Sequence, residues 1–370
     1  MPISILMKPS SGQCNMHCDY CFYCDEMQNR EQASYGFMSE DTLRSILKKV
    51  LLSGTDSVSV AFQGGEPTLR GLHFFRAAVN YEKKYNHRKI PVHNAFQTNG
   101  YLLNEEWCRF FHDNHFLVGV SVDGTEFTHD RFRHGPGSSP THAHILKNIE
   151  LLEQYHVDYN ILTVVNHVTA AHIEEIYAFY KEKGWIYQQY IPCLSGFGQE
   201  DQTEPWTLTS DDYSAFMIRL FNLWYADWQN GIFISNRTFE NYLSILLGIP
   251  PEACDQRGIC GIQYVAEADG SCYPCDFYML DEMCLGNFNS TTLKEMDQKR
   301  NMIGFIERSM QVAEKCRACR WRTLCRNGCQ RMRILDKDEL YRNQFCSAYT
   351  AFFEACAPRL QEIALSMRRR

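Results

Sequence analysis

Short apolar runs alternate with longer amphipathic segments along the first half of the chain. Six of these runs are candidate strands, namely Ile3–Met7, Val58–Phe62, Val92–Gln97, Leu117–Val122, Asn160–Val165 and Ile186–Ile191. Each is followed by a segment of helical period. In the clearest one, from Ser39 to Leu52, Ser39 is the expected N-cap and apolar residues recur every three or four positions. Six strand–helix units in succession predict a parallel α/β array.

Loop signals follow four consecutive candidate strands. They are a cysteine loop (residues 14–21), Gly64-Gly65-Glu66-Pro67, Thr98-Asn99-Gly100 and Asp123-Gly124. Parallel sheets bind ligands at the carboxyl ends of their strands, in closed barrels and in open sheets alike. Periodicity alone does not separate these two architectures, but it predicts a site along this edge.

The second half of the chain has a different character. From Thr209 to Leu247 it reads as helical and rich in aromatic residues, and residues 254 to 346 then hold ten of the seventeen cysteines. Such a density in a reducing compartment favours a small region organised by metal rather than by an apolar core. We therefore expect three parts, 1–208, a helical connector at 209–250, and a Cys-rich domain with a C-terminal helix at 251–370.

Composition limits the class of protein. With 370 residues, of which 45% are apolar, the chain is long enough for a well-buried core. A net charge of -7 argues against nucleic acid as the main partner. The first apolar run, Ile3–Met7, is shorter than a signal-peptide core, and no stretch approaches the ~20 apolar residues of a membrane span. We expect a cytoplasmic protein with reduced thiols and no membrane partner.

The most informative motif is Cys14-x3-Cys18-x2-Cys21. Three thiolates leave one iron of a four-iron cluster without a protein ligand, and an open metal position is where chemistry takes place. Tyr20 precedes the last thiol directly and is suited to lie against an adenine ring. Spacing alone leaves a zinc knuckle or three buried thiols as alternatives. Cys24 lies outside the spacing and is expected not to be a ligand.

The later cysteines indicate further metal sites. They run Cys316-x2-Cys319-x5-Cys325-x3-Cys329 and then Cys346, preceded by Cys254-x5-Cys260 and Cys275. Eight thiols allow two quartets, and two structural zinc ions remain an alternative to iron–sulfur clusters. Cys272 lies three residues before Cys275 and is a competing ligand for the same metal.

The cysteine loop and the Gly64-Gly65-Glu66-Pro67 run resemble the radical S-adenosylmethionine (SAM) enzymes, and the later cysteines resemble their SPASM extension. The resemblance implies a partial (β/α)6 barrel followed by a Cys-rich SPASM domain. It also implies SAM and three [4Fe-4S] clusters, the first held by Cys14, Cys18 and Cys21. The implied SAM contacts are Tyr20, Gly65, Ser121, Arg133 and Leu194. The implied auxiliary quartets are Cys254, Cys260, Cys275 and Cys329, and Cys316, Cys319, Cys325 and Cys346.

Two strings narrow the resemblance further. Tyr273-Pro274-Cys275-Asp276-Phe277-Tyr278 and the run from Phe62 to Leu69 resemble the anaerobic sulfatase-maturating enzymes over essentially the whole chain. That family oxidises a Cys or Ser in a Cys/Ser-x-Pro-x-Arg segment of a sulfatase to formylglycine. The resemblance implies that a deoxyadenosyl radical removes a Cβ hydrogen, Asp276 takes the proton as catalytic base, and an auxiliary cluster accepts the electron. Without the resemblance, an Asp at position 276 is more typical of a residue that accepts backbone hydrogen bonds in a turn.

The expected partners are a sulfatase polypeptide and a low-potential electron donor such as flavodoxin or ferredoxin. Two other functions remain open from the sequence. One is a peptide maturase of the same superfamily, which forms thioethers or other crosslinks in a ribosomal peptide and does not need Asp276 as base. The other is a zinc-organised binding module without redox chemistry.

Overall fold

The structure is a computed structural model that describes residues 2–197, 203–335 and 341–368. Its strands are β1 (Ile3–Met7), β2 (His17–Cys18), β3 (Val58–Phe62), β4 (Val92–Thr98), β5 (Leu117–Ser121), β6 (Arg133–His134), β7 (Tyr159–Val165), β8 (Tyr187–Pro192), β9 (Ser235–Asn236), β10 (Tyr264–Ala266), β11 (Ser271–Tyr273), β12 (Gly286–Asn287), β13 (Arg333–Leu335) and β14 (Tyr341–Asn343).

The α-helices are α1 (Phe22–Gln28), α2 (Glu40–Ser53), α3 (Leu72–Tyr85), α4 (Glu105–Asp113), α5 (Glu126–His129), α6 (His142–Gln154), α7 (His167–Ala171), α8 (Ile173–Glu182), α9 (Ser210–Gln229), α10 (Arg237–Leu246), α11 (Leu293–Met302), α12 (Phe305–Met310), α13 (Glu314–Arg317), α14 (Arg322–Cys325) and α15 (Cys346–Arg368). Short 3-10 helices cover Pro67–Arg70, Pro136–Ser138, Cys254–Gln256, Asp281–Met283 and Gln330–Met332.

The six predicted strands form the centre of a ten-stranded sheet. The order is β12-β11-β10-β1-β3-β4-β5-β7-β8-β9, and the segment from β1 to β8 is parallel throughout. Both ends of β1 and β3 agree with the prediction, β4, β5 and β7 each differ from it by one residue at one end, and β8 is shifted by one residue at both ends. The parallel α/β fold class predicted from the sequence is confirmed.

The alternation of buried and more exposed side chains along the strands explains why the sheet has one apolar face and one open face. Val58, Val60 and Phe62 of β3 are fully buried, whereas Ser59 and Ala61 between them are more exposed. Phe62 packs against Phe75 of α3, with ring centroids 5.1 Å apart. The helices therefore cover the outer face, and the inner face is left to line a cavity.

The helix predicted from Ser39 to Leu52 is α2. Ser39 is its N-cap, since its side chain accepts a hydrogen bond from Thr42 N at 3.1 Å. Leu43, Ile46, Leu47 and Val50 are fully buried along one face, as the period predicts.

Residues beyond 250 continue the same sheet. β10 pairs in parallel with β1, with Ile5 opposite Tyr264, and β11 and β12 extend the edge in antiparallel fashion. At the other edge β9 joins β8 and separates α9 from α10, within the predicted helical connector. The boundaries at 208 and 250 stay predictions.

The C-terminal helix α15 packs on α9 and α10. Phe352 lies 5.8 Å from Phe221 of α9, and Phe353 lies 5.1 Å from Tyr242 of α10, measured between ring centroids. In the part of the chain that the structure describes, no helix has both the length and the apolar character needed to cross a membrane.

Candidate active site

Two loops interlock at the carboxyl edge of the sheet, one after β1 and one after β3. Gly65 N donates to Ser11 O at 2.9 Å, and Glu66 N donates to Gln13 O at 2.7 Å. A Cβ atom on Gly65 would lie only 2.0 Å from Gln13 O. Gly65 is therefore required for the loop to pack against the start of the cysteine loop.

The Glu66 side chain ties the loop after β3 to the loop after β4. It is fully buried and accepts hydrogen bonds from Thr68 N at 2.9 Å, Thr68 Oγ1 at 2.6 Å, Thr98 Oγ1 at 2.9 Å and Asn99 N at 2.8 Å. Asn99 Nδ2 in turn donates to Cys14 Sγ at 3.5 Å. The buried Glu66 carboxylate thus holds the loops after β3 and β4 together and does not face the cavity.

The three cysteines of the first motif lie together, with Cys18 in the β2–β6 ladder and Cys21 at the start of α1. Burial is the main cause that raises the pKa of the Cys14 thiol to about 11 and that of Cys18 to about 12, and neighbouring thiols of the set act in the same direction. A hydrogen bond with Cys24 lowers the pKa of Cys21 to about 6. Buried thiols need a positive charge to ionise, and cluster irons supply one. The donor set fits an iron–sulfur cluster.

Asp123 joins two of the predicted SAM contacts. Its buried carboxylate accepts from Arg133 Nε at 2.8 Å and Nη2 at 3.2 Å, and from the hydroxyl of Tyr20. Arg133 Nη1 also lies 3.8 Å from Cys18 Sγ. Asp123 was identified from the sequence as part of a strand-end motif, and the structure makes it the anchor of Tyr20 and Arg133. Hydrogen bonds and cations near cluster sulfurs tune a cluster's potential.

The remaining predicted SAM contacts also stand at strand ends. Ser121 is the last residue of β5, and its Oγ accepts from Gln97 Nε2 at 3.2 Å. Leu194 follows β8 by two residues and is partly buried. All five predicted residues, Tyr20, Gly65, Ser121, Arg133 and Leu194, thus belong to the carboxyl edge of the sheet, and their contact with SAM stays a prediction.

The first predicted auxiliary quartet comes together from three segments, around residues 254–260, 275 and 329. Thiols of Cys254 and Cys260 lie close enough to Cys329 to raise its pKa, which burial brings to about 12. Cys329 and Cys254 act in the same direction on the partly buried Cys275, whose pKa is raised mainly by desolvation of the thiol. Sequence spacing allows several divisions of the eight thiols into two quartets. In the fold, Cys254, Cys260, Cys275 and Cys329 are neighbours.

The second predicted quartet, Cys316, Cys319, Cys325 and Cys346, lines a cavity of about 360 Å³. Burial raises the pKa of Cys325 to about 12, and the other three thiols add to the effect. No three of the His, Cys, Asp and Glu side chains in the described ranges converge on a single metal ion. In a cubane cluster each thiolate binds a separate iron, so the ligands stand further apart.

Cys272 is separate from the first quartet. It is fully buried in β11, where the charged or ionisable neighbours that shift its pKa are Arg300, Cys284 and Asp297. Cys275, three residues later, faces Cys329 and Cys254 instead. The two thiols thus have different neighbours, and the choice of Cys275 over Cys272 as the ligand stays a prediction.

Asp276 follows Cys275 directly and faces the cysteine loop. Its Oδ2 accepts from Tyr23 Oη at 2.7 Å and from Gln63 Nε2 at 3.2 Å, and Gln63 Nε2 also reaches Tyr23 Oη at 2.8 Å. Asp276 Oδ1 is buried and has no hydrogen-bond partner among the described residues. Burial raises the pKa of the carboxyl, whereas the cation of Lys8 and the Tyr23 hydrogen bond lower it.

A buried ionic network lies beside Asp276 and was not predicted from the sequence. Lys8 Nζ stands 3.4 Å from Glu26 Oε2, 3.9 Å from Glu267 Oε2 and 4.4 Å from the centre of the Tyr23 ring. Arg30 Nη1 donates to Glu267 at 2.8 Å. These residues come from segments far apart in sequence, so only the fold reveals their association.

Comparison with protein families matches residues 9–180 to the radical SAM superfamily and residues 260–320 to an iron–sulfur cluster-binding domain called SPASM. Among curated proteins, the cysteine-type anaerobic sulfatase-maturating enzyme of Clostridium novyi (strain NT) is 42% identical, covering 99% of this chain and 98% of that protein. The serine-type enzyme of Bacteroides thetaiotaomicron is 29% identical, covering 96% and 90%.

A solved structure of native anSMEcpe with bound AdoMet and Cp18Cys peptide superposes with a TM-score of 0.94 at 40% identity, over 99% of this chain and 100% of that one. The match extends through both the barrel and the Cys-rich region, so the fold expected from the resemblance is confirmed. Full-length identity above 40% to a curated relative places the chain within one family. The chain therefore belongs to the anaerobic sulfatase-maturating enzymes of the radical SAM superfamily.

Proposed function

We propose that this enzyme oxidises a Cys or Ser in a Cys/Ser-x-Pro-x-Arg segment of a sulfatase to Cα-formylglycine, with Asp276 as the catalytic base. The observation that carries the proposal is the position of Asp276. The carboxylate adjoins Cys275, is held through one oxygen by Tyr23 and Gln63, and keeps its other oxygen unpaired among the described residues. A fixed base with one oxygen available suits proton removal from a bound side chain.

The proposed cofactors are SAM and three [4Fe-4S] clusters. Cys14, Cys18 and Cys21 would hold the cluster that binds SAM, and Tyr20, Gly65, Ser121, Arg133 and Leu194 would contact SAM. Auxiliary clusters would take the quartets Cys254, Cys260, Cys275 and Cys329, and Cys316, Cys319, Cys325 and Cys346. When bound, these groups supply the radical that removes the Cβ hydrogen atom and accept the remaining electron.

The role of the chain's own residues follows from the balance of the reaction. A Cys side chain loses one hydrogen atom from Cβ, one proton from sulfur and one electron, and becomes a thioaldehyde. Asp276 takes the proton on its unpaired oxygen, and water then converts the thioaldehyde to the aldehyde with release of hydrogen sulfide. Burial raises the pKa of Asp276, which makes the carboxylate a better proton acceptor near neutral pH.

The proposed partners are a sulfatase polypeptide and a low-potential donor such as flavodoxin or ferredoxin, in the cytoplasm. The relative's structure contains a Cys peptide together with AdoMet, which supports a peptide as the substrate. The Clostridium novyi relative is named as a cysteine-type enzyme, so a Cys peptide is the first choice for assays.

The proposal is tested by mass spectrometry of a sulfatase-derived Cys peptide after anaerobic incubation with SAM and reductant. Formylglycine lowers the peptide mass by about 18 Da, because an aldehyde replaces the CH₂SH group. Loss of two hydrogens without carbonyl reactivity would instead identify a crosslinking maturase. Stoichiometric zinc in place of roughly twelve irons per chain would contradict both enzymatic functions.

The base is tested with Asp276→Asn. The amide retains the side-chain shape but cannot take the proton, so we expect SAM cleavage to continue while peptide oxidation falls by at least tenfold. Asp227→Asn is the matched control, because its buried carboxylate also accepts from a tyrosine hydroxyl, Tyr177 Oη at 2.8 Å, but joins α9 to α8 and does not line the cavity on the inner face of the sheet. Equal product formation by Asp276→Asn and the native enzyme would remove Asp276 from the mechanism.

A further inference from the structure

Arg333, the first residue of β13, is a buried arginine whose guanidinium has no carboxylate partner among the described residues. A buried positive charge is normally paired with a negative one, and an arginine keeps its proton in proteins. The other buried arginines of the described ranges follow this rule. Arg30 pairs with Glu267, Arg133 with Asp123 and Arg300 with Asp297. The charge of Arg333 therefore needs a different explanation.

The guanidinium of Arg333 binds the loop that joins the two predicted quartets. Residues 326–328 link Cys325 of the second quartet to Cys329 of the first. All three have left-handed backbone, with φ of 50°, 67° and 59°, although only the third is glycine. The carbonyls of the second and third accept from Arg333 Nε at 3.0 Å and Nη2 at 2.9 Å. Left-handed non-glycine residues cost free energy and persist only where their surroundings hold them.

Arg333 also binds the segments around Cys260 of the first quartet. Its Nη2 donates to Gly258 O at 3.1 Å, two residues before this thiol. Its Nη1 donates to Ser309 O at 2.5 Å, and Ser309 Oγ accepts from Cys260 N at 2.9 Å. Backbone segments that carry ligand candidates of both quartets therefore meet at one guanidinium.

The thiols of both quartets interact with this charge. Burial lowers the pKa of Arg333, whereas the thiols of Cys260, Cys329 and Cys316 act in the opposite direction. The effect is mutual, because Arg333 lowers the pKa of Cys260 and Cys316 against the larger effect of burial. Cys260 and Cys329 belong to the first predicted quartet and Cys316 to the second. Arg333 thus stands within electrostatic reach of both.

Two neighbouring arginines have different surroundings. Arg331 lies near Cys329, but its Nη2 has the carboxylate of Asp25 at 3.5 Å. Arg342 on β14 interacts electrostatically with Cys316 of the second quartet. Arg333 combines contacts to the loops of both quartets with a charge that no described carboxylate neutralises.

An iron–sulfur cluster with four thiolate ligands supplies the missing negative charge. Such a cluster is anionic and gains one further negative charge when it is reduced, so a fixed cation nearby favours the reduced form. At the effective dielectric of a protein interior, a unit charge about 10 Å away changes such an equilibrium roughly tenfold. A cation between two clusters acts on both.

We infer that Arg333 is a positive charge shared by the two auxiliary clusters, which makes both of them easier to reduce. This inference rests on the proposed function and adds a positioning residue to it. The substrate radical loses one electron, one auxiliary cluster gains it, and the substrate proton goes to Asp276. Arg333 exchanges no proton and acts only through the potentials of the clusters.

The test measures those potentials in the full-length enzyme after anaerobic reconstitution, by redox titration followed with electron paramagnetic resonance. The cluster held by Cys14, Cys18 and Cys21 is identified by its response to SAM. Arg333→Gln keeps hydrogen-bond donors but removes the charge. We expect the midpoint potentials of both auxiliary clusters to fall by about 59 mV, a tenfold change in the equilibrium constant of a one-electron couple.

Arg333→Lys separates the charge from the hydrogen bonds. Lysine keeps the positive charge but lacks the planar fork that reaches four carbonyls. We expect the equilibrium constants for reduction of both auxiliary clusters to stay within about threefold of the native values. If Arg333→Gln assembled too little iron to be titrated, this variant would decide alone, and a tenfold fall in it would overturn the inference.

Arg300→Gln is the matched control for the loss of a buried arginine. Arg300 is also buried and donates to Gln263 O at 2.8 Å, but it is paired with Asp297. The thiol near it is that of Cys272, which is not a predicted cluster ligand. Both auxiliary potentials should be unchanged in this variant, even where its stability falls.

Three results would overturn the inference. Unchanged potentials in Arg333→Gln would show that the charge does not act on the clusters. An equal fall in the Gln and Lys variants would show that the hydrogen bonds matter and the charge does not. A shift confined to one auxiliary cluster would show that the charge is not shared. Failure of the proposed function would appear separately, as a wrong product mass from the native enzyme.

Discussion

The hydroxyl of Tyr23 offers a sharp test of how Asp276 is held. Tyr23→Phe removes the Oη atom, which donates to Asp276 Oδ2 at 2.7 Å and accepts from Gln63 Nε2 at 2.8 Å. The ring remains, and with it the packing against Phe22, at 4.0 Å between centroids, and the position of Lys8 above it. The substitution therefore changes the hydrogen bonding of one carboxylate and little else.

The magnitude follows from the type of bond lost. A hydrogen bond to a charged group contributes about 1.5–3 kcal/mol, which corresponds to a fall of about 10- to 150-fold in kcat/KM if the bond positions the base in the transition state. In the variant, Gln63 Nε2 loses Tyr23 Oη as an acceptor and keeps Asp276 Oδ2, now 3.2 Å away. By moving toward Asp276 it can replace part of the lost hydrogen bond. We expect the loss in the lower half of that range.

The pH dependence has a definite sign. The Tyr23 hydrogen bond stabilises the charged form of Asp276 and lowers its pKa against the effect of burial. Without it the pKa rises, and a base is active only when deprotonated, so the acidic limb of the rate profile moves to higher pH. The assay is kcat/KM for formylglycine formation across pH, with SAM cleavage followed in parallel.

Two results would refute this reasoning. An unmoved acidic limb together with a slower rate would show that Tyr23 acts through something other than Asp276. An unchanged rate at every pH would show that the hydrogen bond does not position the base.

Three further outcomes are expected. Gly65→Ala should lower SAM cleavage at least tenfold and destabilise the protein by about 1–3 kcal/mol, because the new Cβ meets Gln13 O at 2.0 Å and the two loops must separate; native activity would contradict the required close approach. Cys272→Ala should keep the full iron content, whereas Cys275→Ala should lose about four irons per chain, the content of one cluster. Iron analysis after anaerobic reconstitution measures this difference. An equal loss of iron in both variants would contradict the assignment of Cys275 alone as the ligand. Glu82, buried in α3, has a pKa raised by burial from 4.5 to about 7. The folded state therefore binds the extra proton and loses stability as pH rises from 4.5 to 7, so Glu82→Gln should be about 3 kcal/mol more stable at pH 8 and nearly equal at pH 4 in urea unfolding; a pH-independent difference would refute this.

The central strands were predictable because each is a short segment of five to seven residues that contains aliphatic or aromatic side chains and is separated from the next by a segment of helical period. β10, β11 and β12 were not, since two or three residues carry no period, and β10, through which all three strands join the sheet, pairs with β1 more than 250 positions away in sequence. Local pattern determines whether a strand forms, whereas the order of strands depends on contacts that only the folded chain contains.

The same distinction applies to the site. Cys14, Cys18 and Cys21 are close in sequence, so their association was predictable from spacing. The pairing of Tyr23 with Asp276 joins residues 253 positions apart, and no local signal in the sequence links them. Glu66 was recognisable as part of the Gly64-Gly65-Glu66-Pro67 loop signal, but its hydrogen bonds from Thr98 and Asn99 depend on the neighbouring loop.

The pairing of β1 with β10 affects how the chain can be synthesised and divided. β1 has β3 on one side and β10 on the other, so until residue 266 has emerged from the ribosome one side of the first strand presents unpaired N–H and C=O groups. Exposed strand edges pair with other chains and aggregate. A barrel fragment that stops near residue 250 would carry this edge permanently, and we expect it to be recovered mainly in the insoluble fraction, even though it contains all three cysteines of the first motif.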